Sequence, residues 1–428
     1  MPLEAPVIRM VFCPMNVRWL PPQCGKCFLP NQAMRGYGAA AFIKGIRALG
    51  ASVEIVPVRS KADWHAFHHL PYRIYAGDPN WVAPLLLERR FHFDPKHNPY
   101  FQHAKAEFFI ARRDGDVVGR ITAQVDRLHQ ERYRDASGHF GFIEAIDDQD
   151  VFDALLKAAE DWLRAQGMQR AIGPVSFSLW DQPGLLVDGF DTPPYVMMNH
   201  HRPYYAGRIT AAGYAKAEDL IAYAYDPQAS TQTWEKLMAR AMRGGEVTLR
   251  NIRMDKAHFR GEVAMLLDII NDAWSDNWGY VPMTQAEIDD LAGVLKLLLK
   301  PGDVAIAEYK GEPAAFTAIF PNLNEAIRDM KGRLFPFNWI KLLWRMKVKR
   351  PKTARMPMMG VRKALQSSPI GAALALSVMH SVRDFNSSRG VTGSELSWIL
   401  ERNSRVRHVI EMVGGKPYKT YRVYERRI

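Results

Sequence analysis

Residues 108–125 read FFIARRDGDVVGRITAQV. Two runs rich in aromatic and β-branched residues, 108–113 and 117–125, are parted by Asp114-Gly115-Asp116, and a Gly-centred break of that length predicts a β-hairpin. Working outward, a strand signal at 140–146 follows. Next comes a helix over 151–166, on which Val151, Leu155, Ala158, Trp162 and Ala165 recur at helical spacing before Gly167 ends it. A strand at 170–176, a long loop, a helix ending at Gly213 and a strand at 220–225 complete the series. Upstream, 53–58 alternates like a strand, and 62–69 and 84–91 carry short helical patterns.

The same order then returns. Residues 247–252 read as a strand and 259–273 and 285–299 as amphipathic helices, and 304–320 forms a second hairpin turning at Lys310-Gly311. After an insert come a strand at 356–361, a helix over 371–385, a strand at 392–399, a helix over 403–413 and a strand at 418–425. Repetition of one α+β order implies two tandem units, each a mixed twisted sheet flanked by helices. The expected division is an N-terminal extension at 1–50, a first unit at 51–226, a linker at 227–246 and a second unit at 247–428 with an insert at 322–353.

Length and composition agree with two packed units: 428 residues, 47% hydrophobic. The net charge of +12 favours anionic partners. All three cysteines, Cys13, Cys24 and Cys27, lie in the extension, so the body offers no thiol nucleophile, disulfide or Cys-based zinc site. Cys24 and Cys27 have CxxC spacing without a second pair. No apolar run approaches the length that spans a bilayer, and no signal peptide is evident. The expectation is a cytoplasmic protein without a metal.

The element order resembles the GNAT-type acyl-CoA N-acyltransferase fold in tandem, as in the peptidoglycan-building aminoacyltransferases. More specifically, Tyr75-Ala-Gly-Asp-Pro-Asn-Trp-Val82, Asn98-Pro-Tyr-Phe-Gln-His-Ala104 and Gly184-Leu-Leu-Val-Asp-Gly-Phe-Asp-Thr-Pro-Pro194 resemble a family of bacterial acyltransferases that includes the bacterial ceramide synthases. The resemblance implies transfer of a long-chain acyl group from acyl-CoA, or from an acyl carrier protein thioester, to the amine of a sphingoid base.

In such a fold the cofactor diphosphate rests on the amides of a helix N-terminus. The first unit's candidate loop carries Asp147, Asp148 and Asp150, which would repel it. The second unit's loop carries Arg362, Lys363, Gln366, Ser367, Ser368 and Gly371, preceded by Met359 and Val361 on the incoming strand. Pro369 stands where the resemblance expects the first glycine, removing one amide donor. A basic loop that merely caps a buried helix is the alternative. Asn403, opening the next helix, matches a position that contacts the cofactor in the fold it resembles, and would serve equally as an N-cap.

Amide formation needs a proton acceptor for the amine and donors for the oxyanion. Glu395, on the strand facing the acceptor in that fold, is the first candidate base, against the alternative of an exposed structural carboxylate. Ile410 occupies the place where the family it resembles has a tyrosine acid, leaving Tyr418, Tyr421 or Tyr424 as substitutes, Tyr421 being the catalytic candidate among them, or a thiolate that leaves without a protein acid. The polar loop 177–205 adds Asp181 and His200 as catalytic candidates and Trp180 and Asp191 as substrate contacts.

The insert contains FPFNWIKLLWRMKVKR at 335–350, with five basic residues, no acidic one, and among its aromatics Trp339 and Trp344, further candidate substrate contacts. As a helix it places Lys341, Arg345 and Lys349 on one edge of a broad apolar surface, the composition of a helix lying in lipid headgroups. A helix packed on the domain with its lysines directed outward is the alternative. The expected partners are a lipid amine, an anionic membrane surface met through 335–350 at the inner membrane, and acyl carrier protein; nucleic acid is not expected. Two other readings stay open: a short-chain N-acetyltransferase acting on a soluble amine, and a non-catalytic lipid- or RNA-binding protein built on such units.

Overall fold

The computed structural model describes residues 52–229, 235–236, 238–239 and 246–428. The extension 1–50 with its three cysteines, and most of the linker 227–246, lie outside the described residues. The strands are β1 (Glu54–Pro57), β2 (Ala104–Arg113), β3 (Asp116–Asp126), β4 (Ser137–Ala145), β5 (Arg170–Gly173), β6 (Val175–Ser176), β7 (Gln182–Pro183), β8 (Leu185–Asp188), β9 (Ala215–Tyr225), β10 (Val247–Asn251), β11 (Val304–Tyr309), β12 (Glu312–Pro321), β13 (Thr353–Val361), β14 (Gly393–Leu400) and β15 (Lys416–Arg427).

Both hairpins form at the expected turns. Asp114 and Gly115, and likewise Lys310 and Gly311, hold the two positive φ angles that a two-residue turn matched to strand twist requires. Helix boundaries follow local chemistry. Ser60 and Thr284 close capping boxes with Asp63 and Glu287, and Asp148 caps the helix Gln149–Ala165 through Val151 N–H.

One thirteen-stranded sheet runs through the molecule in the order β1-β2-β3-β4-β5-β15-β9-β14-β13-β12-β11-β10, with β8 beside β15. Its centre is an exchange. β15, last in the chain, pairs antiparallel with β5, while β9 pairs with β14. The tandem GNAT-like architecture therefore stands, but the expected cut after residue 226 severs β9 from the strands it pairs with. Burial drives this: Leu220, Ala222, Tyr223, Tyr421 and Val423 are all covered at the β9–β15 junction. The helices Gln149–Ala165 and Lys61–Ile74 cover opposite faces of the first half, and Phe259–Ala273 and Pro369–Ser387 those of the second. Among the described residues no helix is long and apolar enough to cross a membrane.

A second tie between halves is His103. Its Nδ1 lies 2.8 Å from Asp126 Oδ1, the N-cap of Arg127–Tyr133, and its Nε2 lies 3.2 Å from Oε1 of Glu287, the capping-box carboxylate of Gln285–Leu298. Burial pulls the imidazolium down, but hydrogen bonds to the two carboxylates outweigh it and hold it up at about 9. Because that value lies above the ~6.5 of an unfolded chain, the clamp contributes fully below that pH and is lost as pH rises through 9. The unfolding free energy of the wild type from urea titrations is expected to fall between pH 6.5 and 9.5 by on the order of 3 kcal/mol more than that of His103→Gln. Parallel profiles for the two proteins would refute the clamp.

Candidate active site

β13 and β14 pair in parallel only from Thr353↔Gly393 to Met356↔Leu396. Beyond that point β13 stays with β12 as far as Val361, while β14 shifts register against β9 between Leu396 and Ile399. Pro357 sits immediately after the last shared pair, where a missing N–H costs no ladder bond. The strands thus part around a cavity of about 180 Å³, walled by Met356, Met358, Met359, Trp398 and Ile410. Methionine walls adapt to flexible apolar guests.

A larger cavity of about 470 Å³ adjoins it, and Trp180, Met197, Met283, Leu291 and Phe320 line both. Trp180 is fixed at this junction. Its Nε1 donates to Val281 O at 2.8 Å, and its ring stacks on Trp274 at 5.6 Å, whose own Nε1 donates to Met359 O. Leu342, Leu343 and Met346 of the insert roof the larger cavity. The insert is a helix, Asn338–Trp344, continuing into a π-helical turn, Arg345–Lys349. Leu342 is buried and Trp339 packs beside it, whereas Phe335, Phe337, Ile340, Trp344 and Val348 are exposed, Phe337 by 75%. Trp339 and Trp344 therefore face different surroundings.

The basic loop precedes the helix Pro369–Ser387, capped by Ser368 Oγ accepting from Gly371 N–H. Pro369 occupies the first turn, where its lost donor is tolerated. Only glycine fits at 371, since a Cβ there would lie 2.0 Å from Leu365 O. Gln366 folds the loop by donating to Val361 O and Ala273 O, and Ser367 accepts from Arg405. The cations are not bare: Arg362 pairs with Asp268, Lys363 with Asp276, and Lys363 N–H donates to Asp272. In the first half Asp147 pairs with Arg208 and Asp148 with Arg113. The charge contrast between the loops is thus much smaller in the folded chain than in the sequence.

Glu395 is not an exposed carboxylate. It is fully buried on β14, accepts from Ser397 Oγ at 2.6 Å and from the Tyr418 hydroxyl, and lies 3.5 Å from Arg355 Nε. Burial raises its pKa against the opposing pull of Arg355, Ser397 and Tyr418. Arg355, equally buried, is brought down to about 10 by burial, stacks over Trp398 at 4.3 Å and donates to Val196 O. This carboxylate stands behind the wall of the smaller cavity, not on it. Tyr421 is also fully buried, its hydroxyl without a partner.

Trp180, Asp181 and His200 all reach the larger cavity. Asp181 Oδ2 lies 2.7 Å from His92 Nε2. His200 instead turns Nε2 to Asp78 at 3.0 Å and buries Nδ1 without a partner. Asp191 is exposed, away from both cavities, and Asn403 lines the smaller one while capping its helix through Val406 N–H. Sequence reasoning missed Arg355, His92 and Lys419. Lys419 is buried, donates to Gly189 O and Thr192 O, and is pushed down to about 8 by burial against Glu395, Asp191 and Asp188. A lysine flanked by Tyr418 and Thr420 in a strand was the available signal. Among the described residues no group of three or more His, Cys, Asp or Glu side chains is placed to hold a metal ion.

The chain is 47% identical over 379 residues to the bacterial ceramide synthase of Caulobacter vibrioides (strain NA1000 / CB15N), covering 88% of this chain and 98% of that protein. To protein YghO of Escherichia coli (strain K12) it is 44% identical over 371 residues, 86% of this chain and 94% of that one. Among solved structures, a tandem GNAT protein from the clavulanic acid biosynthesis pathway matches with a TM-score of 0.52 at 12% identity, covering 88% of this chain and 98% of that chain, a likeness of fold alone. No family model matches the chain.

Breaking the Arg355–Glu395 pair leaves one buried charge uncompensated, which typically costs about 3–5 kcal/mol. Arg355→Met is expected to lower the unfolding free energy by that order, and Arg355→Met with Glu395→Leu to recover most of it. Urea denaturation checks both; a single variant within about 1 kcal/mol of wild type would contradict a buried ionic pair.

Proposed function

The chain belongs to the bacterial ceramide synthase family of acyltransferases, and on that premise we propose that it moves a long-chain fatty acyl group from an acyl thioester to the amine of a sphingoid base. The observation that carries this reading is the pair of adjoining apolar cavities. The smaller lies where β13 and β14 part and is suited to the thioester arm. The larger continues past Trp180 and is suited to a lipid tail. Each methylene buried there is worth about 0.8 kcal/mol, so binding should strengthen with chain length until the space is filled. An acetyl group would gain nothing from it, which disfavours short-chain transfer to a soluble amine.

The loop from Arg362 to Gly371 would seat the diphosphate of acyl-CoA on the first turn of Pro369–Ser387. Its Arg362 and Lys363 would do so while shared with Asp268 and Asp276, which limits their pull and leaves room for an acyl carrier protein thioester as donor. Met359 and Val361 would line the arm, with Asn403 beside it. Attack by the amine nitrogen on the thioester carbonyl forms the C–N bond, and the C–S bond breaks to release thiol. Asp181 and Trp180 are the substrate-facing residues of this reading. Glu395 holds Arg355 and Tyr418 in place behind the cavity wall, a positioning role.

The outward row Phe335, Phe337, Ile340, Trp344 and Val348, edged by Lys349 and Arg350, with Lys341 shared with Asp329 and Lys347 with Leu297 O, would rest on an anionic membrane surface that also holds the lipid amine. Purified protein with anionic vesicles should convert palmitoyl-CoA and a sphingoid base to amide by mass spectrometry, and should leave acetyl-CoA and a soluble polyamine unreacted. Phe337→Ala with Trp344→Ala should cut vesicle binding at least tenfold while the melting temperature holds. Amide from acetyl-CoA alone would overturn the substrate reading, and unchanged vesicle binding the membrane contact.

A further inference from the structure

We infer that His92 is the proton acceptor for the attacking amine, with Asp181 as its positioning partner. The inference rests on the acyl-transfer reading above and adds a residue to it. His92 closes the short helix Leu86–His92 and lines the 470 Å³ cavity together with Asp181. Its Nε2 lies 2.7 Å from Asp181 Oδ2; both atoms are shut off from solvent, close enough to pair but not aligned as a hydrogen bond. The ring is collared by Phe142 and Phe177, at 5.9 and 5.0 Å between centroids. Among the described residues no hydrogen bond is made by Nδ1, and it is not among the buried unpartnered atoms, so it is the nitrogen left to the cavity.

The other charged groups facing the same cavity are occupied. Arg89 is tied to Glu88, His97 to Asp94, His200 to Asp78, Arg120 to Phe67 O and Glu144, Lys347 to Leu297 O, and Glu287 to His103 and Thr284, and Asp290 too has a partner. His201 Nδ1 accepts from Leu186 N–H. A His–Asp pair with one nitrogen set against a carboxylate and the other free is the arrangement that a general base requires, and the 2.7 Å approach supplies it. Its location is also apt, because Trp180, adjacent to Asp181 in the chain, is a wall shared with the thioester cavity.

As the amine nitrogen bonds to the carbonyl carbon and the C–S bond breaks, the nitrogen sheds one proton to His92 Nδ1. Asp181 stabilises the resulting imidazolium. The proton then passes to the departing thiolate, so that one amine and one thioester yield one amide and one thiol.

The test compares wild type, His92→Gln and Asp181→Asn, full length and on anionic vesicles, with palmitoyl-CoA and a sphingoid base from pH 6 to 10. At pH 7 kcat should fall by about 10²-fold or more in His92→Gln, and the deficit should shrink toward high pH as the amine loses its proton unaided. Palmitoyl-CoA affinity should stay within twofold. Asp181→Asn should fall less and shift the pH profile rather than the KM. Wild-type kcat in His92→Gln, or a deficit that is the same at every pH, overturns the assignment while leaving the function intact. An inactive wild type overturns the function itself and this inference with it.

Discussion

Exchange of the terminal strands is the constraint on which the site depends. β9 leaves the first half to pair with β14, and β15 crosses back to pair with β5. Strand β14 therefore has β9 on one side and β13, only briefly, on the other, so the angle at which β13 and β14 part is set by a strand from the opposite half. The loop 177–205, which follows β5, is carried over the second half by the same geometry. There Asn324 donates to Pro194 O and Tyr195 O, Asn322 accepts from Val196 N–H, and Arg355 donates to Val196 O. Neither half taken alone could form the Trp180 junction.

Electrostatics plays a different part in the folded chain than its net charge implies. Arg362 and Lys363 are matched by Asp268, Asp272 and Asp276 on or beside a helix distant in sequence. His103 is likewise enclosed by two helix-cap carboxylates. Exposed pairs such as Arg362–Asp268 are worth little individually, so a diphosphate, if the proposed loop seats one, would displace the carboxylate at small cost. The buried pair Arg355–Glu395 cannot be exchanged so cheaply and acts as scaffold.

Periodic features were legible in the sequence: both hairpins with their turn residues, the amphipathic helices, the repeated order and the loop capped by Ser368. These are local, set by propensity and spacing. What could not be read depends on contacts between remote segments. Glu395 reads as an exposed strand carboxylate until β9 covers it and Arg355 reaches it. Asp181 reads as one polar loop residue among several until Leu86–His92 brings His92 to it. His200 lies in the same loop with the same chemistry, yet folding aims its nitrogens elsewhere. The strand exchange was invisible for the same reason, since any strand of alternating pattern can pair with several neighbours and only tertiary burial selects one.

The insert unites these points. A helix that only roofed a cavity would present polar residues outward, and one that only met a membrane would need no buried seam. Residues 335–350 have both features: Leu342 and Met346 line the larger cavity from one side, while Phe337 and Trp344 stand exposed on the other. Large apolar side chains held in water are unfavourable unless something covers them, and in the proposed reading a bilayer would be that cover. A lipid substrate would then pass from membrane to cavity across the thickness of one helix. Its amine would reach the polar end at His92 and Asp181 with little exposure to water, which is where a neutral nucleophile is most useful.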